Sequence, residues 1–349
     1  MRKYKVIVWG LGNVGRVAIR MIMERESLEL VGAIDVDPNK VGKDAGEIFG
    51  FGKAGVIVSN DIDKVLARDA DVVLDYMPFL RDKNREDNNG INCNAQSALD
   101  ICRALKTKKN VITTIPITYC QVLEPKLFKM IDDCAKENGV TYLPYGLLPG
   151  TYGSYLPVVL STITERVDKL IVESGEDDQN NTSGWLKVFG FGTDPEKFSN
   201  DWLKNDIISY YKSAVYEIGG RLGFEFDDFK GTHEVFAAPQ DLHPSFGLVK
   251  KGTIYAHQFT MTGYVKGEEK VSLHYVHKVC NDVIPEPPAD NKIIIEGLPN
   301  LELELKGMIP LEECYVTSCA STVHAIPATV EATPGWHQAM DLRMIVPAL

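Results

Sequence analysis

Three glycines near the start of the chain have the spacing of a phosphate-binding turn. Gly10, Gly12 and Gly15 follow the apolar run 4–9, and residues 16–26 continue with the apolar spacing of a helix. In a strand–turn–helix unit the first glycine permits a tight turn, the second lets the backbone approach a pyrophosphate, and the third lets the helix pack closely on the strand. The phosphates would lie on the unpaired N–H groups at the start of the helix. The stretch therefore predicts a dinucleotide site.

An acidic residue at the end of the second predicted strand supports this interpretation. Residues 28–34 have the composition of a buried strand and lead into Asp35, about 20 residues after the glycine motif. A carboxylate there can accept both ribose hydroxyls of an adenosine and repels a 2′-phosphate, so NAD is the expected cofactor. Lys40, in the following loop, could instead tolerate a 2′-phosphate and so leaves NADP possible, or it could be an ordinary solvated lysine. The alternative to dinucleotide binding is a βαβ unit whose glycines serve only packing.

The ends of two further predicted strands complete the candidate cofactor site. These strands cover residues 70–78 and 110–116, and their last residues face the crevice where an open parallel sheet binds its ligand. Thr113 and Thr114 could hold the nicotinamide carboxamide or a substrate carbonyl, or they could be strand residues turned outward. The predicted cofactor-binding residues are Gly10, Gly12, Asn13, Val14, Gly15, Asp35, Met77, Pro78, Thr113 and Thr114.

These residues require a sheet of parallel strands to position them. Six predicted strands, at 4–9, 28–34, 55–59, 70–78, 110–116 and 140–143, alternate with helical segments, and from residue 167 onward the periodicity becomes β-like. The predicted fold class is α/β, a Rossmann doubly wound parallel sheet with a second α+β domain that carries a mostly antiparallel sheet. The expected domains are a dinucleotide-binding domain at 1–150, a substrate and dimerisation domain at 151–314, and a segment at 315–349 that returns to the first domain.

Several segments of the second domain carry more specific expectations. Residues 253–265 and 270–279 predict one hairpin, 292–295 and 301–305 another, and 204–222 a helix. A strand at 167–173 leads into the acidic stretch 174–184, which could bind a cation or a substrate ammonium but is more typical of a solvated loop. The hydroxyl-rich turn 145–154 could bind a carboxylate or a polarised carbonyl, or it could be a tight connection without a ligand.

Composition excludes several classes of protein. The 349 residues are 44% hydrophobic and carry a net charge of −11, with no basic stripe that would suit nucleic acid. No apolar run approaches the ~18 residues that cross a bilayer, and no signal-peptide pattern precedes the first strand, so a cytoplasmic protein is expected. The seven scattered cysteines indicate free thiols and no disulfide framework. Neither cysteines nor histidines show metal-ligand spacing, and His274 and His277 are predicted on opposite faces of a strand, so no metal site is expected.

Motifs distributed along nearly the whole chain resemble those of the dihydrodipicolinate-reductase-like dehydrogenases. The resemblance is greatest to the branch that contains 2,4-diaminopentanoate dehydrogenase and the native amine dehydrogenases. The motifs are Val8–Gly15, Gly32–Asp35, Gly42–Gly46, Leu148–Gly150 before a Leu-Pro helix, Ile295–Gly297, Ala325–Ala328, Thr333–Gly335 and Ala339–Leu342. The resemblance implies a Rossmann domain, a β-rich second domain that makes a dimer interface, and hydride transfer between NAD(P)H and an amine or C=N carbon of a small-molecule substrate. A homodimer or a dimer of dimers is expected.

One departure from the family pattern affects the expected chemistry. Amine-forming relatives place a glutamate just after the fifth strand, whereas residues 114–119 of this chain contain no carboxylate before Glu124. The remaining candidates for proton transfer are Tyr119, Tyr145, Tyr152 and His324, any of which could instead be a packing residue. The favoured function is an NAD(P)-dependent oxidoreductase that acts as an amine dehydrogenase or imine reductase. The alternatives are a hydroxy-acid or aldehyde dehydrogenase and a non-catalytic NAD(P)H sensor.

Overall fold

The computed structural model describes residues 2–77, 95–115, 118–181, 185–199, 201–307 and 311–347. Twelve strands are found in these residues: β1 Tyr4–Trp9, β2 Leu28–Ile34, β3 Val72–Asp75, β4 Asn110–Thr113, β5 Thr141–Pro144, β6 Arg166–Asp177, β7 Asp228–Ala237, β8 Ile254–Val265, β9 Glu268–Lys278, β10 Lys292–Leu298, β11 Leu301–Glu304 and β12 Gly335–Trp336. The α-helices in the same residues are α1 Asn13–Met23, α2 Ile62–Leu66, α3 Ala95–Leu105, α4 Cys120–Leu123, α5 Pro125–Asn138, α6 Leu156–Ser161, α7 Trp185–Phe189, α8 Asp201–Leu222, α9 Leu311–His324 and α10 Ile326–Val330. The described residues form two compact units, the first within 1–151 and 315–349 and the second within 152–314.

The first unit is built on a six-stranded sheet in which all pairs are parallel. Its order is β12-β5-β4-β3-β1-β2, so the chain moves outward from β1 in one direction to β2 and in the other to β3. β1 is almost fully buried, as expected of a parallel strand covered on both faces. The predicted Rossmann sheet is confirmed, and its topological switch point lies between β1 and β3, where such sheets bind their ligands.

One of the six predicted strands is wrong, and one strand of this sheet was not predicted. Residues 55–59 do not form a strand, because they make only isolated bridges, such as that between Ser59 and Ile34. The sixth strand is instead β12, a two-residue strand that pairs with β5. Trp336 anchors it, with ring centroids 4.6 Å from Tyr142 and 5.4 Å from Phe128. Two residues have too little periodicity to be recognised as a strand from the sequence.

The second unit contains a mixed six-stranded sheet of order β11-β10-β6-β9-β8-β7. Both predicted hairpins are present as β8–β9 and β10–β11, and only the β6–β9 pair is parallel. β6 is longer than predicted, because it continues through residues 174–177 of the acidic stretch that was expected to be a solvated loop. Asp178, which follows it, is completely buried. That expectation was wrong for residues 174–178, and residues 182–184 lie outside the described part of the chain.

None of the helices in the described ranges has the length and apolarity that crossing a membrane requires.

Candidate functional site

The glycine turn joins β1 to α1 at the switch point of the first sheet. Gly10 has φ of +92°, a conformation that side-chain-bearing residues rarely adopt, and a Cβ there would lie 2.7 Å from the carbonyl oxygen of Tyr76. At Gly15 a Cβ would lie only 2.0 Å from the carbonyl oxygen of Gly10. Both positions therefore exclude any side chain because backbone segments approach each other closely.

Gly12 is in a different situation from its two neighbours. It has φ of −77°, and a Cβ built on it would meet no atom within 4 Å. The space above Gly12 is open, and the amino end of α1 begins at the next residue, Asn13, with no side-chain cap and no acidic residue in its first turn. Among the described residues, the N–H groups of Asn13 and Val14 have no hydrogen-bond partner. Such groups beside an open surface are the arrangement that receives a diphosphate. The residues present therefore fit a dinucleotide.

Asp35 is tied directly to the glycine turn. Its Oδ2 accepts a hydrogen bond of 2.8 Å from the backbone N–H of Leu11, and its Oδ1 accepts one of 2.8 Å from the N–H of Asp37. The ammonium group of Lys40 lies 3.2 Å from Asp35 Oδ2 and 3.5 Å from a carboxylate oxygen of Asp37. Lys40 is therefore no solvated loop lysine, and it balances part of the negative charge at the position where a ribose would bind.

A cavity of about 690 Å³ opens beside the loop that follows β2. Lys40, Lys43 and Lys53 are among its lining residues. The loop is held by Asp44, whose carboxylate accepts backbone N–H groups from residues 46, 47, 54 and 55 at 2.7–3.2 Å. Burial opposes ionisation of Asp44, but these four donors outweigh it and lower the pKa of the carboxyl. The lining also contains Asp37, Asp44 and Glu47, so the cavity carries as many acidic as basic side chains.

The hydroxyl of Thr113 makes two hydrogen bonds inside the protein that were not predicted from the sequence. Its side chain is completely buried, and its hydroxyl donates to Asp75 Oδ2 at 3.1 Å and accepts from the N–H of Ile115 at 3.0 Å. The expected contact between this hydroxyl and a nicotinamide is therefore not supported, because the hydroxyl forms hydrogen bonds that connect the ends of β3 and β4. Asp75 is the residue that sequence reasoning missed here, and burial raises its pKa to about 7.

The other predicted residues at these strand ends differ in what the structure shows. The N–H of Met77 donates to Asp75 Oδ1 at 3.0 Å, and the side chain of Met77 is half-buried. Thr114 is also half-buried at the carboxyl end of β4, and its Cγ2 lies 3.5 Å from the position that a Cβ of Gly146 would take. Pro78 lies outside the described residues. Met77 and Thr114 thus remain candidates for cofactor contact.

Two of the four predicted proton donors belong to loops at the carboxyl ends of β4 and β5. Tyr145 follows β5 directly, is 5% exposed, and its N–H donates to the carbonyl of Thr113 at 2.9 Å. Tyr119 is 9% exposed and has a left-handed backbone conformation, with φ of +50°, just before α4. In an open α/β sheet these loops border the ligand crevice, so both residues remain candidates.

Tyr152 and the hydroxyl-rich turn around it have internal roles. The hydroxyl of Tyr152 faces the carbonyl oxygens of Glu173 and, at 3.0 Å, Lys292, and burial raises its pKa well above the ordinary range. Thr151 and Ser154 are also engaged, with Thr151 Oγ1 2.8 Å from Ser321 Oγ and Ser154 donating to a carboxylate oxygen of Glu217 at 2.8 Å. Protein groups engage these hydroxyls, so the structure gives no support to the prediction that Tyr152 donates a proton.

His324 lies at the carboxyl end of α9. The part of α1 near it is the carboxyl end, which is opposite the glycine turn. Burial lowers its pKa, and the charge of Arg25, which follows the carboxyl end of α1, lowers it further. On the preceding turn of α9, Cys319 Sγ lies 3.7 Å from the sulfur of Met21, in the last turn of α1. Since the predicted phosphate-binding end of α1 is its other end, the position of His324 does not support a role in proton transfer at the cofactor.

Family models match both parts of the chain. The model described as "Dihydrodipicolinate reductase, N-terminus" matches residues 4–78, and "2,4-diaminopentanoate dehydrogenase C-terminal domain" matches residues 154–349. An amine dehydrogenase of Streptomyces virginiae is 27% identical over 96% of this chain and 95% of its own length. The 2,4-diaminopentanoate dehydrogenase of Acetoanaerobium sticklandii is 25% identical over 98% of this chain and 94% of its own.

A solved structure shares the fold of this chain. The amine dehydrogenase from Mycobacterium smegmatis superposes with a TM-score of 0.79 at 19% identity, covering 99% of this chain and 98% of that one. The predicted resemblance is thus confirmed.

Proposed function

This chain belongs to the family defined by the 2,4-diaminopentanoate dehydrogenase C-terminal domain, and from that premise we propose that it is an NAD(P)-dependent amine dehydrogenase. The observation that carries the proposal is the glycine turn, where Gly12 leaves an open surface at the uncapped start of α1. The names of the full-length relatives supply the substrate class, since both act on amines according to those names. The chain is an oxidoreductase with a nicotinamide cofactor.

The proposed reaction is a reversible oxidative deamination. A substrate R–CH(NH₃⁺)–R′ with NAD⁺ and water gives the ketone R–CO–R′, NH₄⁺, NADH and H⁺, so that charge and hydrogen balance. The bound nicotinamide supplies the hydride acceptor. The protein binds the diphosphate at Asn13 and Val14, and the phenols of Tyr119 and Tyr145 are the proposed groups for proton transfer. A phenol has an ordinary pKa near ~10, so whichever tyrosine serves needs a cationic or dipolar neighbour to act near neutral pH.

We propose that NAD is preferred over NADP, but by a small margin. The Asp35 carboxylate favours a free ribose diol, while Lys40 at 3.2 Å reduces the penalty for a 2′-phosphate. A pair of partly exposed charges contributes roughly 0.2–1 kcal/mol, so we expect the attraction of Lys40 for a 2′-phosphate to be smaller than its repulsion by the Asp35 carboxylate.

A homodimer or dimer of dimers is part of the same proposal. α8 packs against β8 and β9, on the face of the second sheet where a Cβ at Gly231 would meet Ile208. The opposite face carries a row of paired positions, Thr232, Thr260, His274, Glu173 and Lys292, all at least partly exposed in a single chain. Such a broad sheet face suits a two-fold contact with a second copy. Light scattering should give a multiple of the 38.8 kDa chain mass.

The function is tested with a substrate panel followed by NADH absorbance. Primary amines, amino acids and hydroxy acids are supplied with NAD⁺, and ketones and aldehydes are supplied with NADH in the presence and absence of ammonium. Amine oxidation and ammonium-dependent ketone reduction are expected. Ammonium-independent reduction of a carbonyl would show a hydroxy-acid or aldehyde dehydrogenase instead, and tight NADH binding without turnover in any class would show a sensor.

A further inference from the structure

A buried carboxyl group lies at the edge of the first sheet where the cofactor is predicted to bind. Asp75 is the last residue of β3 and is only 4% exposed. Its register partners are Trp9, the last residue of β1, and Thr113, the last residue of β4. Trp9 leads directly into the glycine turn, so Asp75 lies at the switch point of the sheet.

The carboxyl group of Asp75 holds the segments that leave β3 and β4. Its Oδ1 accepts the N–H of Met77 at 3.0 Å, and its Oδ2 accepts the hydroxyl of Thr113 at 3.1 Å. The glycine turn packs on the same backbone, since a Cβ at Gly10 would lie 2.7 Å from the carbonyl oxygen of Tyr76 and 3.1 Å from the nitrogen of Met77. One stretch of backbone therefore separates this carboxyl group from the turn.

The negative charge of Asp75 is uncompensated among the residues that the structure describes. Asp75 forms no ion pair with any of them, and the charge of Asp100 on α3 opposes its ionisation further. The phenol of Tyr76 and the thiol of Cys319, 3.9 Å apart, stay neutral because burial raises the pKa of each. Burial without a counter-charge raises the pKa of Asp75 to about 7. A positively charged ligand would reduce the cost of ionising it.

The two forms of a nicotinamide cofactor differ in exactly this respect, because the ring of NAD⁺ carries a positive charge and the ring of NADH is neutral. The diphosphate is predicted at Asn13 and Val14, and the adenosine ribose at Asp35, which follows β2. Since β2 and β3 lie on opposite sides of β1, the nicotinamide half is expected over the ends of β3 and β4. The charge that distinguishes the two forms is therefore expected on the side of the sheet that holds Asp75.

We propose that the carboxyl group of Asp75 makes the cofactor site discriminate between NAD⁺ and NADH, because the positive ring favours its ionised form and the neutral ring does not. The inference rests on the nicotinamide site of the proposed function and not on the amine as substrate. Ionised Asp75 accepts from Met77 and Thr113, and protonated Asp75 can donate to the Thr113 hydroxyl instead, so both forms keep their partners. Binding of NAD⁺ then releases a proton, and rising pH favours the oxidised cofactor.

Calorimetric titration with NAD⁺ and with NADH from about pH 5.5 to about pH 8.5, without any amine, tests the inference. With ionised Asp75 binding NAD⁺ about ten times more tightly than protonated Asp75 does, the Kd of NAD⁺ should fall about tenfold as the pH rises across this range. The Kd of NADH should change by less than about twofold. Titrations in two buffers of different ionisation enthalpy should show about half a proton released per NAD⁺ between about pH 6 and about pH 7, and almost none per NADH.

Three variants separate the charge of Asp75 from its packing. Asp75→Asn keeps the size of the side chain and should abolish both the proton release and the pH dependence of NAD⁺ binding. Thr113→Val removes a hydroxyl that stabilises the ionised carboxylate, so it should keep the dependence and move its midpoint to higher pH. Asp132→Asn is the matched control and should behave as the wild type, because this buried carboxylate already pairs with Lys136 at 2.6 Å.

Equal pH dependence of the two Kd values in the wild type overturns the inference, and this result does not depend on any variant folding. A difference that persists in Asp75→Asn also overturns it. If that variant does not fold, the midpoint in Thr113→Val decides, and an unmoved midpoint overturns the inference. Failure of both NAD⁺ and NADH to bind overturns the nicotinamide site together with the inference. The expected binding pattern without turnover of any amine supports the inference and refutes the amine dehydrogenase function.

Discussion

Replacing Gly12 by valine should abolish dinucleotide binding without unfolding the protein. The backbone at Gly12, with φ of −77°, is open to any residue, and a Cβ there meets no atom within 4 Å. The cost in folding is that of altering a helix N-cap, about 1 kcal/mol or less. The valine side chain would occupy the open surface on which the diphosphate must lie, and so remove its contacts with the N–H groups of Asn13 and Val14.

The size of the effect follows from those lost contacts. A hydrogen bond to a charged group contributes about 1.5–3 kcal/mol, so the loss of two amounts to about 3–6 kcal/mol. This corresponds to a Kd for NADH roughly 10²–10⁴ times higher. Gly12→Ala, with a single added carbon, should give a smaller loss.

Fluorescence titration with NADH, together with thermal melting, checks this prediction. Gly15→Ala is the informative contrast, because its Cβ would lie 2.0 Å from the carbonyl oxygen of Gly10 and should lower the melting temperature as well as the affinity. A folded Gly12→Val protein that binds NADH within about threefold of the wild type would refute the role given to this turn.

Four further variants test separate parts of the structure. Asp35→Ser should narrow or reverse the preference for NAD over NADP, whereas Lys40→Ala should widen that preference by up to about fivefold. Calorimetric titration with both cofactors measures the preference. Tenfold tighter binding of NADP to the wild type would show that the role given to Asp35 is wrong. Tyr152→Phe should keep kcat within about threefold of the wild-type value and lower the free energy of unfolding by about 1 kcal/mol, because the lost hydroxyl bonds only backbone carbonyls. A hundredfold fall in kcat at an unchanged melting temperature would contradict this packing role. Because burial raises the pKa of Asp75 from its ordinary value to about 7, the folded protein holds this proton more tightly than the unfolded chain, and the resulting stability is lost as pH rises from about 4 towards 7. The free energy of unfolding of Asp75→Asn should therefore rise relative to that of the wild type between pH 5 and pH 8, by on the order of 1–4 kcal/mol. Urea melts over this pH range measure the difference between the two proteins, and a difference that does not change with pH would contradict the raised pKa.

The parts of the site that sequence predicted are those encoded by local spacing. Gly10, Gly12 and Gly15 are within six residues of one another, and their functions depend on a turn that those same residues form. Asp35 lies one βα unit later, at a distance set by the length of a helix and a strand. The hairpins β8–β9 and β10–β11 are local in the same sense, since turn residues separate two alternating runs.

Long-range pairing explains what the sequence did not show. Glu176 and His277 meet because β6 runs parallel to β9, and nothing in either segment specifies its partner across 101 residues. The acidic stretch therefore had the composition of a solvated loop although its first residues belong to a buried strand. Thr113 had the position of a ligand contact, but a second buried group, Asp75, accepts its hydroxyl hydrogen bond.

The late position of β12 has a consequence for the order in which the protein folds. The second unit's main segment, 152–314, is continuous, whereas the first unit needs residues 335–336 to pair with residues 141–142. On the ribosome, the inserted unit can reach its native pairing while β5 still has an unpaired edge, which is a site for mispairing with other chains. The contacts of Trp336 with Tyr142 and Phe128 then form last and close that edge. The emergence of residues 335–336, more than that of the glycine turn, should therefore set the time at which the first sheet becomes stable.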